Sequence, residues 1–184
     1  MLKTKLLLLV FSFFLCAAVN AQLEGAYLKT KHISKFGMAG FLNFAIPIND
    51  ADAVTAEVGV YYFGFNNYSD QAVVVPIIAG YRHTFNGEGD GLYIEPFAGY
   101  SIGATDIPRT DKDGNIVYTN GNEQDERING IAAGAAFGYI FPGSFRFNIG
   151  LKAQHVFTFS GDPSANIISL RLSHSLHFGR RRDD

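Results

Sequence analysis

The chain holds one cysteine, Cys16, and no tryptophan among its 184 residues. Beyond residue 19 it has no apolar run approaching the roughly 20 residues that a bilayer-spanning helix requires. No stretch keeps a capped 3.6-residue apolar period either. A phosphate-binding glycine motif, a spaced set of metal ligands and a basic aromatic face for nucleic acid are all missing. The five histidines (His32, His83, His155, His174 and His177) are scattered, and their spacing defends no Ser/His/Asp or Asp/His constellation. These absences exclude a helical membrane protein and a nucleic-acid partner. They lead to the expectation of a chain that is not an enzyme and carries no cofactor.

The lone cysteine has a consequence for what holds the protein together. Lys3 and Lys5 precede an apolar run over 6–19, and Val19 and Ala21 occupy the small-residue positions of a cleavage site. Residues 1–21 therefore read as a secretory signal peptide cut after Ala21. Cys16, preceded by bulky Phe14 and Leu15, is a poor lipoprotein acceptor and leaves with the peptide. Cleavage also removes two lysines, leaving 13 basic residues against 17 acidic, a formal charge of −4. A secreted domain without disulfides is held by its backbone ladder and core alone, which suits a large closed sheet.

What the chain does have is a two-residue period. It is clearest over 145–178. There Phe145, Phe147, Ile149, Leu151, Ala153, Phe157 and Phe159 share one face, and Arg146, Asn148, Lys152, Gln154 and Thr158 the other. The partner strand sets Ile168, Leu170, Leu172, Leu176 and Phe178 against Ser169, Arg171, Ser173, Ser175 and His177. Successive strand side chains point to opposite faces, so each strand has one greasy face and one polar face. The same alternation marks strands over 22–31, 36–48, 53–65, 71–85, 92–104 and 128–141. The turn over 86–91 is rich in residues that tolerate positive φ. The fold class is all-β, one domain of about eight antiparallel strands.

A greasy face belongs either to the core of a soluble sandwich or small barrel, or to the lipid surface of a membrane barrel whose polar face turns inward. The connections bear on the choice. Those at 49–52, 86–90 and 142–143 fall at one end, whereas 32–35, 66–70, 160–166 and the long polar 105–127 fall at the other. Such sorting, with both termini at the short-turn end, is the habit of membrane barrels with an even strand number. Aromatics gather near strand ends (Tyr61, Tyr62, Phe63 and Phe65; Tyr81 and Phe85; Tyr139, Phe141 and Phe145; Phe157 and Phe159; Phe178), where interfacial girdles sit. The absence of Trp departs from the usual girdle. The expectation is a single up-and-down transmembrane β-barrel over 22–178, followed by a short polar tail over 179–184.

Signal peptide, amphipathic strands, glycine-rich alternation and an apolar last strand ending in an aromatic together resemble the small Gram-negative outer-membrane barrels, the porin-like OmpX/OmpW type. The resemblance covers the whole mature chain and implies localisation in the outer membrane. It also implies contact with outer-membrane lipid, and a terminal strand read by the barrel-assembly machinery through Leu172, Leu176 and Phe178. The tail after Phe178 departs from that pattern. The function expected is a structural or surface-interaction role, with 105–127 as a surface for a partner. The alternatives are a narrow porin or small hydrophobic-ligand conduit, and a soluble secreted ligand-binding barrel.

The inward face offers the candidate residues. An eight-strand barrel is only just wide enough for its own side chains, and buried charges are tolerable only when paired. Glu57 and Glu95 against Arg82, Arg146, Lys152 and Arg171 are therefore expected to form an internal charge network, with a gated ion or solute path as the sharper alternative. Asp111, Asp113 and Asn115 alternate like the first half of a calcium loop. Ile116 stands where that loop needs glycine and Asn122 where it needs glutamate, so a plain hairpin turn is the favoured reading. His155 and His174 interrupt otherwise lipid-facing sets, which calls for a bulge that turns them inward or a place at headgroup level.

Overall fold

The computed structural model describes residues 18–64, 71–108, 115–119, 122–123, 125–143, 147–159 and 163–176. Alternating apolar and polar side chains favour extended backbone, and every long segment with that pattern forms a strand. In chain order these are β1 (Ala18–Lys29), β2 (Ser34–Pro47), β3 (Asp52–Phe63), β4 (Ala72–Thr84), β5 (Gly91–Pro108), β6 (Tyr118–Thr119), β7 (Asn122–Glu123), β8 (Asp125–Arg127), β9 (Gly130–Ile140), β10 (Phe147–Thr158) and β11 (Ala165–Leu176). No helix occurs among the described residues.

Each long strand pairs antiparallel with the next, β4 pairs β5, β5 pairs β9, and β11 returns to pair β1. The result is a closed up-and-down ring of eight strands with no free edge, as the period and the connection lengths predicted. Ten or so residues per strand suffice to cross a bilayer at a barrel's tilt, and these run from 11 to 18.

Most strand ends fall within one or two residues of the sequence expectation, and two boundaries depart further. The first strand spans Ala18–Lys29 rather than 22–31, because the pairing of β1 with β11 continues back to Val19 opposite Leu176. The polar connection 105–127 is not wholly irregular. β5 runs on to Pro108, β8 pairs with it, and β6 and β7 form a separate two-stranded sheet. These two- and three-residue strands are too short to show a period.

At the short-turn end, the side-chain Oδ1 of Asn49 accepts hydrogen bonds from the backbone N–H of Ala51 and of Asp52, each at 2.8 Å, which folds the β2–β3 turn on itself. The β4–β5 turn takes its shape from Gly87 and Gly89, at φ 76° and 73°, where a Cβ would be strained.

Outward and inward faces sort as a membrane barrel requires. Leu23, Met38, Val58, Ile77, Ile94, Phe137, Leu151 and Leu170, one from each long strand, are all exposed. This apolar surface goes all the way round, whereas a soluble protein shows patches of a few hundred Å². The inward face holds the buried charges instead. A barrel that is charged inside and greasy outside is arranged for lipid.

Candidate functional site

The site is the lumen, and strand parity builds it. Glu24 on β1, Glu57 on β3, Glu95 on β5, Lys152 on β10 and Arg171 on β11 all point inward, and none is more than 3% exposed. Arg82 on β4 completes the set from the short-turn side, with its side chain 12% exposed. Three carboxylates face three cations, so the cluster is neutral overall.

Arg171 lies at its centre. Its Nε donates to Glu24 Oε1 at 3.3 Å and its Nη1 to Glu95 Oε2 at 3.4 Å. Nη2 stands 2.7 Å from Glu57 Oε1, an ion contact in which no N–H is aligned for a hydrogen bond. Lys152 Nζ donates to Glu57 Oε2 at 2.6 Å and lies 3.8 Å from Glu24 Oε1. The same ammonium sits 4.5 Å over the Phe41 ring and 5.1 Å over the Phe97 ring, where the π faces add to its stabilisation. Arg82 grips Glu95 Oε2 through Nε at 2.8 Å and Nη2 at 2.7 Å.

Neutral donors fill the remaining lone pairs. Glu24 accepts from Gln22 Nε2 at 2.5 Å, Ser169 Oγ at 2.5 Å and the Tyr61 hydroxyl at 2.7 Å. Glu57 accepts from Asn43 Nδ2 at 2.7 Å and Glu95 from Thr55 Oγ1 at 2.8 Å. Each carboxylate is thus held by at least one cation and one neutral donor, which makes its burial tolerable. With each of these three carboxylates committed, none is left as a free acid or base facing a space, and the six charges cross-brace six strands.

Above and below the charges apolar layers share the lumen with buried polar side chains, Gln154 and Ser101 on the long-loop side and Asn148 and Ser173 on the other. From mid-barrel towards the long-loop end the lumen holds Phe41, Tyr61, Phe63, Val74, Val156 and Ile167. Tyr61 packs edge-on to Phe41 at 5.0 Å and stacks on Phe63 at 5.7 Å. Tyr61 and Phe63, expected in the girdle from their strand-end position, are therefore plug residues: they share the parity of Glu57, and both are fully buried. Tyr81, Phe85, Phe141, Phe157 and Phe159 do lie exposed near strand ends. Towards the short turns Tyr93, Ala136 and Ile140 close the lumen.

The sequence had grouped Glu57, Arg82, Glu95, Lys152 and Arg171, and the fold brings these five together. Arg146 lies outside the described residues. Glu24 was missed, although it contacts two cations of the cluster, Lys152 and Arg171, and three neutral donors, Gln22, Tyr61 and Ser169. Its strand shows few large apolar residues, and only its parity with Gln22 and Ala26 signalled the inward face. Asp111 and Asp113 lie outside the described residues, while Asn115 is exposed. No group of three or more His, Cys, Asp or Glu placed to hold a metal occurs among the described residues. Leu172 faces outward, the Leu176 backbone ends β11, and Phe178 lies beyond the described residues. His155 and His174 face outward on an unbroken β10–β11 register, so no bulge turns them in; each lies towards an end of the barrel.

No family model matches the chain, and no curated protein matches it in sequence. Solved structures do match. Neisserial surface protein A, from Neisseria, aligns with TM-score 0.62 at 13% identity, over 87% of this chain and 97% of its own. Ail, the attachment invasion locus protein of Yersinia pestis, aligns with TM-score 0.59 at 13% identity, over 87% and 97%. Ail has also been solved with the heparin analogue sucrose octasulfate. The N-terminal β-barrel domain of Pseudomonas aeruginosa OprF aligns with TM-score 0.50 at 13% identity, over 87% and 99%. These are outer-membrane barrels of Gram-negative bacteria, and this chain has their fold.

Proposed function

We propose that the mature chain is an outer-membrane protein that acts as a closed, plugged barrel, in a structural or surface-interaction role, and that it neither conducts nor catalyses. The observation that carries this reading is the neutral cluster of Glu24, Glu57 and Glu95 with Arg82, Lys152 and Arg171. It spans a lumen already only just wide enough for side chains. The apolar layers on both sides of it add a second obstruction.

In this reading residues 1–21 direct secretion and are removed after Ala21, and the long-loop end faces the outside. The apolar belt contacts membrane lipid, and Leu172, Leu176 and Phe178 present the last strand to the assembly machinery. The connection 105–127, stiffened by β5 and β8, is the surface offered to a partner. The polysulfated ligand of Ail supports a surface-ligand role for a barrel of this shape.

The test is conductance of the refolded, processed protein in a planar bilayer. The expected trace is silent. Discrete, reproducible channel events would instead establish the narrow porin or hydrophobic-ligand conduit. Release of the protein from membranes by carbonate without detergent would establish the soluble ligand-binding barrel.

A further inference from the structure

Four polar side chains line up across four adjacent strands on the outward face, at the long-loop end. Ser34 on β2 pairs with Lys29 on β1, Lys29 with Asn166 on β11, and Asn166 with His155 on β10. Ser34, Lys29 and Asn166 are exposed and His155 is half-buried. One outward step further into the barrel, the same four strands present Phe36, Tyr27, Ile168 and Ala153. On β1, β2 and β11 the row is the upper edge of the apolar belt, whereas on β10 the exposed Phe157 and Phe159 lie beyond His155; aromatic residues at such an edge mark the level of the lipid headgroups.

The row is organised rather than merely polar. His155 donates its Nδ1–H to Asn166 Oδ1 at 2.8 Å, and its ring stands edge-on to Phe157 at 4.3 Å, which fixes its plane. With Oδ1 occupied, the Asn166 amide hydrogens remain as donors next to Lys29. The Tyr27 hydroxyl shares a hydrogen bond with Ser34 Oγ at 2.7 Å, and Tyr27 packs on Phe36 at 5.0 Å. Lys29 has no ion-pair partner among the described residues. An uncompensated ammonium, flanked by neutral donors and underlain by aromatic and aliphatic surface for an acyl chain, is complementary to a lipid phosphate.

We propose that Lys29, Asn166 and Ser34, with His155 as the positioning residue that orients Asn166, form a docking site for the net-anionic phosphomonoester of an outer-leaflet lipid, as distinct from the choline-neutralised phosphodiester of a zwitterionic one. The proposal rests on the reading of the chain as a membrane barrel. Lys29 supplies the charge and Asn166 the directed donor. The apolar belt below receives the acyl chains. This also accounts for a histidine on the lipid-facing side of β10.

The test uses the processed full chain refolded into phosphatidylcholine vesicles, alone or doped with diphosphoryl lipid A or with the same acylated disaccharide lacking its phosphates. The readout is the temperature at which the folded, fast-migrating gel band is lost. Refolding of all proteins to that band in phosphatidylcholine alone secures the membrane-barrel reading independently; failure to insert sinks that reading and this one with it. Phosphorylated lipid is expected to raise the transition by about 5–10 °C in the native protein. Lys29→Gln and His155→Leu are expected to lose most of that rise while matching the native protein in phosphatidylcholine alone. Arg127→Gln, an exposed charge on β8 across the barrel, is expected to keep it. The proposal is overturned if Lys29→Gln keeps the full rise, if Arg127→Gln loses as much, if His155→Leu is indistinguishable from native, or if the dephosphorylated lipid works equally well. It is overturned too if inorganic phosphate added to plain vesicles reproduces the effect, since the ligand would then be free phosphate.

Discussion

His32 Nδ1 lies 2.5 Å from Glu126 Oε1, and the contact crosses the mouth of the barrel. His32 sits in the β1–β2 connection, whereas Glu126 is on β8, which pairs with β5 four strands away around the ring. The Thr30 hydroxyl shapes that connection by accepting from the backbone N–H of Ile33 at 3.0 Å and of His32 at 3.2 Å. Ile33 and Ile128, 3% and 1% exposed, pack in the core beneath the contact. The connection is thereby tied down over the lumen.

Removing this tie should loosen the mouth without unfolding the barrel. His32→Ala leaves the Glu126 carboxylate buried without its partner, a cost of about 1–3 kcal/mol. The expected outcome is faster hydrogen exchange at the Ile33 and Ile128 amides, with unchanged protection at Lys152 on β10. Unchanged exchange at Ile33 and Ile128 would show that the apolar contacts alone hold the connection.

Arg171→Met should destabilise the whole barrel. It leaves three buried carboxylates facing two cations, and loss of one partner from a buried ionic group costs about 3–5 kcal/mol. Guanidinium unfolding in detergent should show the midpoint falling. Adding Glu57→Gln to that variant should recover part of the loss, because the remaining charges balance again. A midpoint equal to that of the native protein for Arg171→Met would mean that the cluster contributes nothing net to stability.

Leu151→Arg discriminates the two possible solvents. Leu151 is 59% exposed, midway along β10. In lipid, an arginine near the midplane costs about 2–4 kcal/mol, and folding yield into vesicles should fall accordingly. In water the substitution would be nearly neutral. Undiminished folding into vesicles would contradict a lipid-facing position.

Small residues on β9 make room for the plug. A Cβ on Gly134 would lie 2.0 Å from the Ala153 carbonyl oxygen and 2.7 Å from Phe97 Cζ, whereas one on Gly40 would meet nothing within 4 Å. Gly134→Val is expected to lose most of the folded band on a detergent gel, since the backbone and the Phe97 ring must both move; overpacking of this kind costs about 1–3 kcal/mol or more. Gly40→Ala should fold like the native protein or be more stable by roughly 0.4–1 kcal/mol. Equal folding of both variants would contradict the tight β9–β10 approach.

The strands and their two faces were legible in the sequence, and the charged residues of the inward face with them, because side-chain direction alternates with every residue once the backbone is extended. That parity alone would also have placed Tyr61 and Phe63 beside Glu57; their position near a strand end suggested the girdle instead. The short strands within 105–127 carried no such signal, since two or three residues cannot display a period.

Parity determined which side chains face inward and how many strands there are, because it is a covalent property of the extended chain. Which inward groups meet is a property of ring closure. Glu24 and Arg171 are separated by 147 positions and become neighbours only because β11 returns to pair β1. His32 reaches Glu126 only because the β1–β2 connection folds over the mouth to the far wall. The tilt and closing register of the eight strands, which no local pattern encodes, decided that three acids would find three bases at the centre of the lumen.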